Sequence, residues 1–444
     1  VTAETTANTN ATGSQEFVII LATRIVLLVA GVLNQSLMAY TLSPEGRGAY
    51  EICALFGLLL GTLLTPGADR GSQYFVMAQQ MSLSQGVSVA LTISLVGSGL
   101  AVALAIPLVP SELAFFEKAS SQSFFLVLVL IPIAAFSNAM ALQLDGLRRF
   151  VRMAVFLSIQ ALVAVIVLLV LVWGLGLGVD GAILAFAMSN LVLIVLCILD
   201  LRRHCGLVWE WPTRAGLSSA LSYGFRNHVA RVGAISDARL GSLLLGFTAS
   251  RVEIGLFSAG SSMMLRVFMI PYSISAMLQP RIAIDEAGQP ELTAFCARVA
   301  WWITGVVLVI LLAVATPLVR ILLSEAFLPA VPLIWILALG VFAYSGADIL
   351  MSYFRGINQP EMCSWAIFLG VGANVVAFSA LFQALGIKAA AWGTTIGLLV
   401  RSAFLLIVYC RTSRMKLRSV CMLKPDDVTY LWNAGRLLLR RAWP

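Results

Sequence analysis

The sequence predicts an all-α, polytopic membrane protein of about twelve transmembrane helices, in two six-helix lobes related by pseudo-two-fold symmetry. Three observations predict it. Of the 444 residues 60% are hydrophobic and only 11% charged, with a mean hydropathy of +0.94; soluble domains carry roughly 25% charged residues. Apolar segments of about 20 residues, the length that crosses the hydrocarbon, recur from end to end. The chain also repeats itself. At an offset of 207, Thr248, Ser250, Gly255 and Phe257 fall on Thr41, Ser43, Gly48 and Tyr50, and Arg231 falls on Arg24.

The chain opens on residues 1–15, Thr/Asn/Ala-rich and uncharged apart from Glu4, expected to be a disordered leader. Twelve spans follow, at about 17–41, 49–77, 86–109, 122–144, 150–173, 180–201, 221–249, 254–279, 294–323, 331–354, 361–385 and 389–410. Spans one to six form an N-lobe (16–203) and spans seven to twelve a C-lobe (221–412). Between them, 204–220 is the longest connection, with Trp209 and Trp211 near Arg202, Arg203 and Arg214, a mixture suited to the headgroup layer. Further matches, Gly178–Ala182 on Gly386–Ala390 and Leu144–Gly146 on Phe354–Gly356, keep nearly the same offset. Six spans per copy makes the repeats parallel, with a substrate path expected between them. Pro66, Pro132, Pro271 and Pro317 mark possible bends. The basic tail, 413–444, places Asp426 and Asp427 at the start of a short amphipathic helix with Val428, Leu431, Trp432, Leu438 and Leu439 on one face. Its expected role is anchoring, so deletion after Lys424 is expected to spare transport.

Connections after even-numbered spans, with the tail, hold sixteen basic residues; those after odd-numbered spans hold five, Arg47 among them. Positive residues favour the cytoplasm, which places both termini inside. The net charge of +8 therefore speaks to topology and anionic lipid, not to nucleic acid. Seven cysteines without a CxxC pair and two histidines indicate neither a disulfide framework nor a metal centre.

Span seven carries Arg226, His228, Arg231, Asp237 and Arg239 before its apolar end. A charge at the bilayer centre costs roughly 2.5–3.5 kcal/mol on insertion scales, so such groups are expected to face water or a protein partner. At about 100° per residue, Arg226 and Asp237 share one side, and His228, Arg231 and Arg239 the other. Arg226 and His228 lie near enough to the inner edge to reside at the interface. Asp237 faces either an intralobe partner or a coupling ion. Arg401 faces either the cavity or a carboxylate within its lobe.

The run Leu42-Ser-Pro-Glu-Gly-Arg-Gly-Ala-Tyr50 resembles the L-G/S-P-E-G-x-G-x-Y signature of polysaccharide flippases. The second-half counterpart, Glu253-Ile-Gly-Leu-Phe-Ser-Ala-Gly260, is similar to their G-x-Y-x-x-A, with Phe257 for tyrosine and Gly260 for the last alanine. The chain thus resembles an oligosaccharide-lipid flippase of the Wzx type, within the multidrug/oligosaccharidyl-lipid/polysaccharide exporter superfamily. The pair Asp69-Arg70 has no assigned place in that signature.

That resemblance implies a non-enzymatic transporter of the bacterial inner membrane that flips an undecaprenyl-diphosphate-linked oligosaccharide for O-antigen or exopolysaccharide biosynthesis. Its partners would be the lipid-linked substrate, membrane lipids, a polysaccharide polymerase and glycosyltransferases. No cofactor is implied beyond a coupling ion, H⁺ or Na⁺. Arginine suits a diphosphate, since its planar fork binds phosphate oxygens bidentately and stays protonated. Arg24, Arg231 and Arg266 are the expected headgroup ligands, the alternative for Arg24 and Arg231 being to snorkel to the interface. Asp237, Asp348 and Asp69 are the carboxylates expected to couple transport to the ion, or else to neutralise a nearby arginine. Rival readings are a cation-coupled multidrug antiporter of the same fold, a membrane polymerase or ligase, and an assembly subunit.

Overall fold

The computed structural model describes residues 4–427 except 66, 110–114, 148, 285–288, 423 and 425–426, together with the side chains of most of them. All regular elements among the described residues are helical. The first helix, α1 (Glu4–Leu64), starts inside the stretch expected to be a leader and runs through two predicted spans, interrupted only at Ser43. Ser43 has φ 58° and ψ 170°. Proline forces the residue before it out of the helical region, while itself fitting the first turn of a helix. Ser43-Pro44 therefore ends one span and starts the next with no intervening loop.

After a break around Gly67 (φ 57°), α2 (Ala68–Met77) completes the second predicted span. Three serine or threonine caps then punctuate the chain, each accepting a backbone N–H that the helix start leaves unpaired. Ser82 accepts from Gln85 at the start of α3 (Leu83–Ala105), and Ser120 from Ser123 at α4 (Ser121–Gly146). Helix α5 (Phe150–Leu168) loosens into a π-turn, Leu169–Gly174. It is followed by α6 (Gly178–Cys205), which stops at left-handed Gly206 with Arg202, Arg203 and His204 in its last turn. Thr213 caps α7 (Arg214–Thr248), accepting from Gly216.

The remaining helices are α8 (Arg251–Val267), α9 (Met269–Ile284), α10 (Pro290–Ala313), α11 (Ala315–Leu323), α12 (Val331–Gly356), α13 (Pro360–Leu385), α14 (Lys388–Ser413) and α15 (Leu417–Cys421). Two of the expected proline bends coincide with breaks. Pro271 lies four residues after Val267, where α8 ends, and Pro317 four after Ala313, where α10 ends. A proline removes the bond to the carbonyl four residues back and clashes with it. Pro132 stays inside an unbroken α4, and Pro66 lies outside the described residues.

Ten helical stretches among the described residues are long and apolar enough to cross a membrane. One of them, Ala22–Leu64, contains the Ser43 break and so accounts for two of the predicted spans. Helix α7 falls short because its own charged residues lower its hydropathy. The protein is a multi-pass membrane protein, and α7, which covers the predicted span seven, is the one predicted span that is not among these ten.

By internal contacts the chain divides into two compact units, 1–256 with 321–327, and 257–320 with 328–444. The first holds α1 to α7 and the start of α8. One of its cores joins Val87, Met140, Leu144, Leu193, Cys197 and Leu201 from α3, α4 and α6. The second unit centres on Leu278, Ala297, Leu350, Phe354, Leu405 and Tyr409 from α9, α10, α12 and α14.

Candidate functional site

The motif copies meet. A Cβ on Gly48 would overlap the Arg251 carbonyl oxygen, and a Cβ on Gly255 would overlap the Pro44 carbonyl oxygen. These four positions are two equivalent pairs at the offset of 207, so the helices cross about a local two-fold at backbone contact. Only glycine leaves room there.

Beside this crossing the first unit buries charge. Arg47, 2% exposed, donates to Gln35 Oε1 and stands 5.7 Å from the Phe327 ring centroid. Sequence reasoning counted Arg47 in a loop; Pro44 starts a helix at once, which carries Arg47 inward. Glu51, one turn further and on the same face, accepts from Arg239 Nη1 of α7 at 3.0 Å. Glu51 was missed because it lies at the start of predicted span two (49–77), where a carboxylate passes for a headgroup-layer residue. Arg239, by contrast, was part of the predicted charged stripe.

His228 was expected at the interface, but it is buried, and its Nε2 donates to the Leu63 carbonyl at 2.9 Å. The reason lies in α1, whose end at Leu64 leaves carbonyls of its last turn without helical donors. The imidazole of α7 supplies one.

Of the six predicted site residues, Arg24, Asp69, Arg231 and Asp237 belong to the first unit, Arg266 and Asp348 to the second. Arg24 is exposed on α1, beside exposed Ile25 and Leu28. The side chain of Arg231 lies outside the described residues, as does that of Arg226. Asp237 is half-buried on α7. Asp69 is buried in the first turn of α2, where Oδ2 accepts from Asn138 at 2.7 Å and Oδ1 from the Arg70 backbone N–H at 2.9 Å. An acid at a helix start also meets the positive end of the dipole.

In the second unit, half-buried Arg266 donates from Nη1 to the Ser262 carbonyl at 3.2 Å, one turn back. Asp348 accepts from Ser275 Oγ at 2.8 Å and from the Tyr344 hydroxyl at 3.4 Å. The same Tyr344 ring lies under the Arg401 guanidinium, 5.1 Å from its centroid. Arg401 thus stacks on an aromatic face within its own unit, a cation–π contact that favours burial of a charge.

The tail holds an ion pair that no motif announced. Arg298 of α10 grips Asp427 through Nε–Oδ2 at 2.6 Å and Nη2–Oδ1 at 2.9 Å, and Nη1 donates to the Ser419 carbonyl. These side chains are 4% and 7% exposed. The Arg298 hydrogen bond holds the Asp427 carboxyl below its ordinary range. Asp427 therefore does more than face a helix dipole, and a truncation after Lys424 strips a buried arginine of its partner. The expected amphipathic face, Val428 to Leu439, lies outside the described residues.

Residues 37–332 match the family described as "Polysaccharide biosynthesis protein". The chain belongs to that family. No curated protein matches it. Among solved structures this family member is similar to an inward-facing multidrug resistance MATE transporter of the MOP superfamily, with 16% identity, 91% of this chain and 98% of that one covered, and a TM-score of 0.68. The lipid II flippase MurJ, in an inward closed conformation, gives 16% identity, 89% and 90% coverage and the same TM-score. A MOP superfamily transporter from Pyrococcus furiosus gives 15% identity, 92% and 95% coverage and a TM-score of 0.58. At such identities the likeness establishes the fold, which is that of MOP superfamily transporters.

Proposed function

We propose that the protein flips an undecaprenyl-diphosphate-linked oligosaccharide across the bacterial inner membrane by alternating access, for surface or exopolysaccharide biosynthesis. The observation that carries this reading is the match of residues 37–332 to a polysaccharide biosynthesis family on a fold also adopted by a lipid II flippase. The physical task is to pass a charged diphosphate and a polar glycan while the lipid tail stays in hydrocarbon. A wet, cationic path performs it. Arg24, Arg231 and Arg266 are its proposed headgroup ligands, because guanidinium keeps its charge and its fork when desolvated. Asp237, Asp348 and Asp69 are the proposed sites of H⁺ or Na⁺ coupling.

The test is transport of a defined lipid-linked oligosaccharide in vesicles containing the purified protein, alongside Arg24→Ala and Arg231→Ala. Transport by the parent and its loss in both variants is expected; in cells, precursor should accumulate on the inner leaflet. Normal transport by both variants would remove these arginines from the path. The MATE likeness favours a second reading, a cation-coupled multidrug antiporter. It requires the same vesicles to exchange small organic cations and to leave the glycan lipid unmoved.

A further inference from the structure

One end of the first unit carries more positive charge than its own carboxylates balance. Asp200 of α6 accepts from both Arg149 and Arg152, and His204 Nδ1 lies 3.2 Å from Oδ1 of the same carboxylate. Arg202, on the same last turn of α6, is exposed and makes no ion pair among the described residues. It lines instead a recess of about 160 Å³ between α3, α4 and α6. Its lining is apolar apart from Arg202 and the serines Ser84 and Ser88. Leu91, Phe136, Met140 and Ile198 form its walls, while Arg202 and Trp209 border it from the end of α6 and the segment that follows.

That segment is held in place by hydrogen bonds. The Val208 N–H donates to Ser84 Oγ at 3.2 Å, and Ser88 Oγ donates to the Glu210 carbonyl. Ser82 Oγ donates to the Glu210 carboxylate at 3.2 Å, which occupies the nearby acid. The wall of the recess is therefore built before anything enters it. Trp209 and Trp211 are 56% and 80% exposed, as indoles at the membrane interface are.

An apolar slot with a guanidinium at its mouth and tryptophans beside it matches one kind of molecule: a lipid whose head is negative. A soluble anion has no use for the slot, and a sugar would find the two lining serines, Ser84 and Ser88, already bonded to the segment at 208–210. We propose that this recess seats one anionic phospholipid of the bilayer, phosphate on Arg202 and a stretch of one acyl chain among Leu91, Phe136, Met140 and Ile198. The seat is independent of what the protein transports.

The full-length protein would be reconstituted in nanodiscs with equal phosphatidylglycerol and phosphatidylcholine, and retained lipid counted by native mass spectrometry. Preferential retention of one phosphatidylglycerol is expected. Arg202→Gln should weaken that preference about fivefold, the worth of one basic residue at an anionic surface. Leu91→Trp, which fills the slot and keeps the charge, should abolish it; Arg203→Gln, off the recess, should leave it unchanged. Thermal unfolding checks that each variant is folded, and Arg202, being exposed, can be exchanged without disturbing a core. Equal retention of both lipids, or equal losses in Arg202→Gln and Arg203→Gln, would overturn the proposal in favour of diffuse surface charge. Protection from unfolding by soluble glycerol phosphate as strong as by phosphatidylglycerol would also overturn it, leaving a simple anion site.

Discussion

The two joints that bring Gly48 and Gly255 together occupy equivalent places in the repeat, yet they turn the chain by different chemistry. The first joint relies on Pro44 and on a strained Ser43 at φ 58°. A non-glycine residue there costs of order 1–3 kcal/mol, which is a reason for the glycine that the flippase signature also admits at this place. The second joint is a capping box. Ser250 accepts from the Glu253 N–H at 3.3 Å while Glu253 Oε2 accepts from the Ser250 N–H at 2.8 Å. Charge differs in parallel. The first copy buries Arg47 and pairs Glu51 with Arg239, whereas Arg251 of the second copy meets Glu45 at 3.6 Å with side chains 42% and 63% exposed. Shared geometry is thus compatible with unshared residues, because what the crossing demands is two glycines, each facing a backbone carbonyl of the other helix.

The largest expected effect sets the scale for a dry ion pair against the wet one at the joint. Arg298→Ala leaves Asp427 buried and unpaired and should cost about 3–5 kcal/mol, read as a drop in thermal stability; Arg251→Ala should cost under about 1 kcal/mol. Because the Asp427 pKa is depressed in the folded protein, its contribution is intact at neutral pH. It fades as the pH falls below the ordinary carboxylate range toward the depressed value. A melting temperature whose acid dependence is unchanged in Asp427→Asn would contradict that pairing.

Next in size, Gly48→Val and Gly255→Val force two backbones apart and should each destabilise by about 1–3 kcal/mol or more, with comparable losses of folded protein in detergent. Tolerance at one position only would show that the crossing is not symmetric. Arg239→Ala should cost about 2 kcal/mol by leaving Glu51 with an unmet demand, a loss that Glu51→Gln in the same chain should partly restore. The smallest effects separate the joints most cleanly. Ser250→Ala should cost about 1 kcal/mol as a lost cap, while Ser43→Gly should raise stability by a fraction of its strain; a destabilised Ser43→Gly would mean the serine side chain matters more than its backbone.

Much of this was legible in residue order. Hydropathy marks most of the spans, since helices in lipid must satisfy their own backbone. The offset of 207 identifies equivalent joints, and Pro317 and Pro271 foretell breaks four residues upstream. The candidate site was less legible. His228 looked like an interface residue because nothing in its own helix reveals that α1 stops at Leu64 and leaves a carbonyl in need. Arg47 looked like a loop residue because a one-residue turn has no sequence length.

By itself the sequence determined the membrane class, the duplication and the small residues at each joint, because these follow from local periodicity and composition. Which charges share a site was decided only by tertiary structure. Glu51 with Arg239, Arg298 with Asp427 and Arg401 with Tyr344 are separated by 188, 129 and 57 residues. A charge in a membrane protein must find a partner or water, and only the folded chain brings that partner within reach.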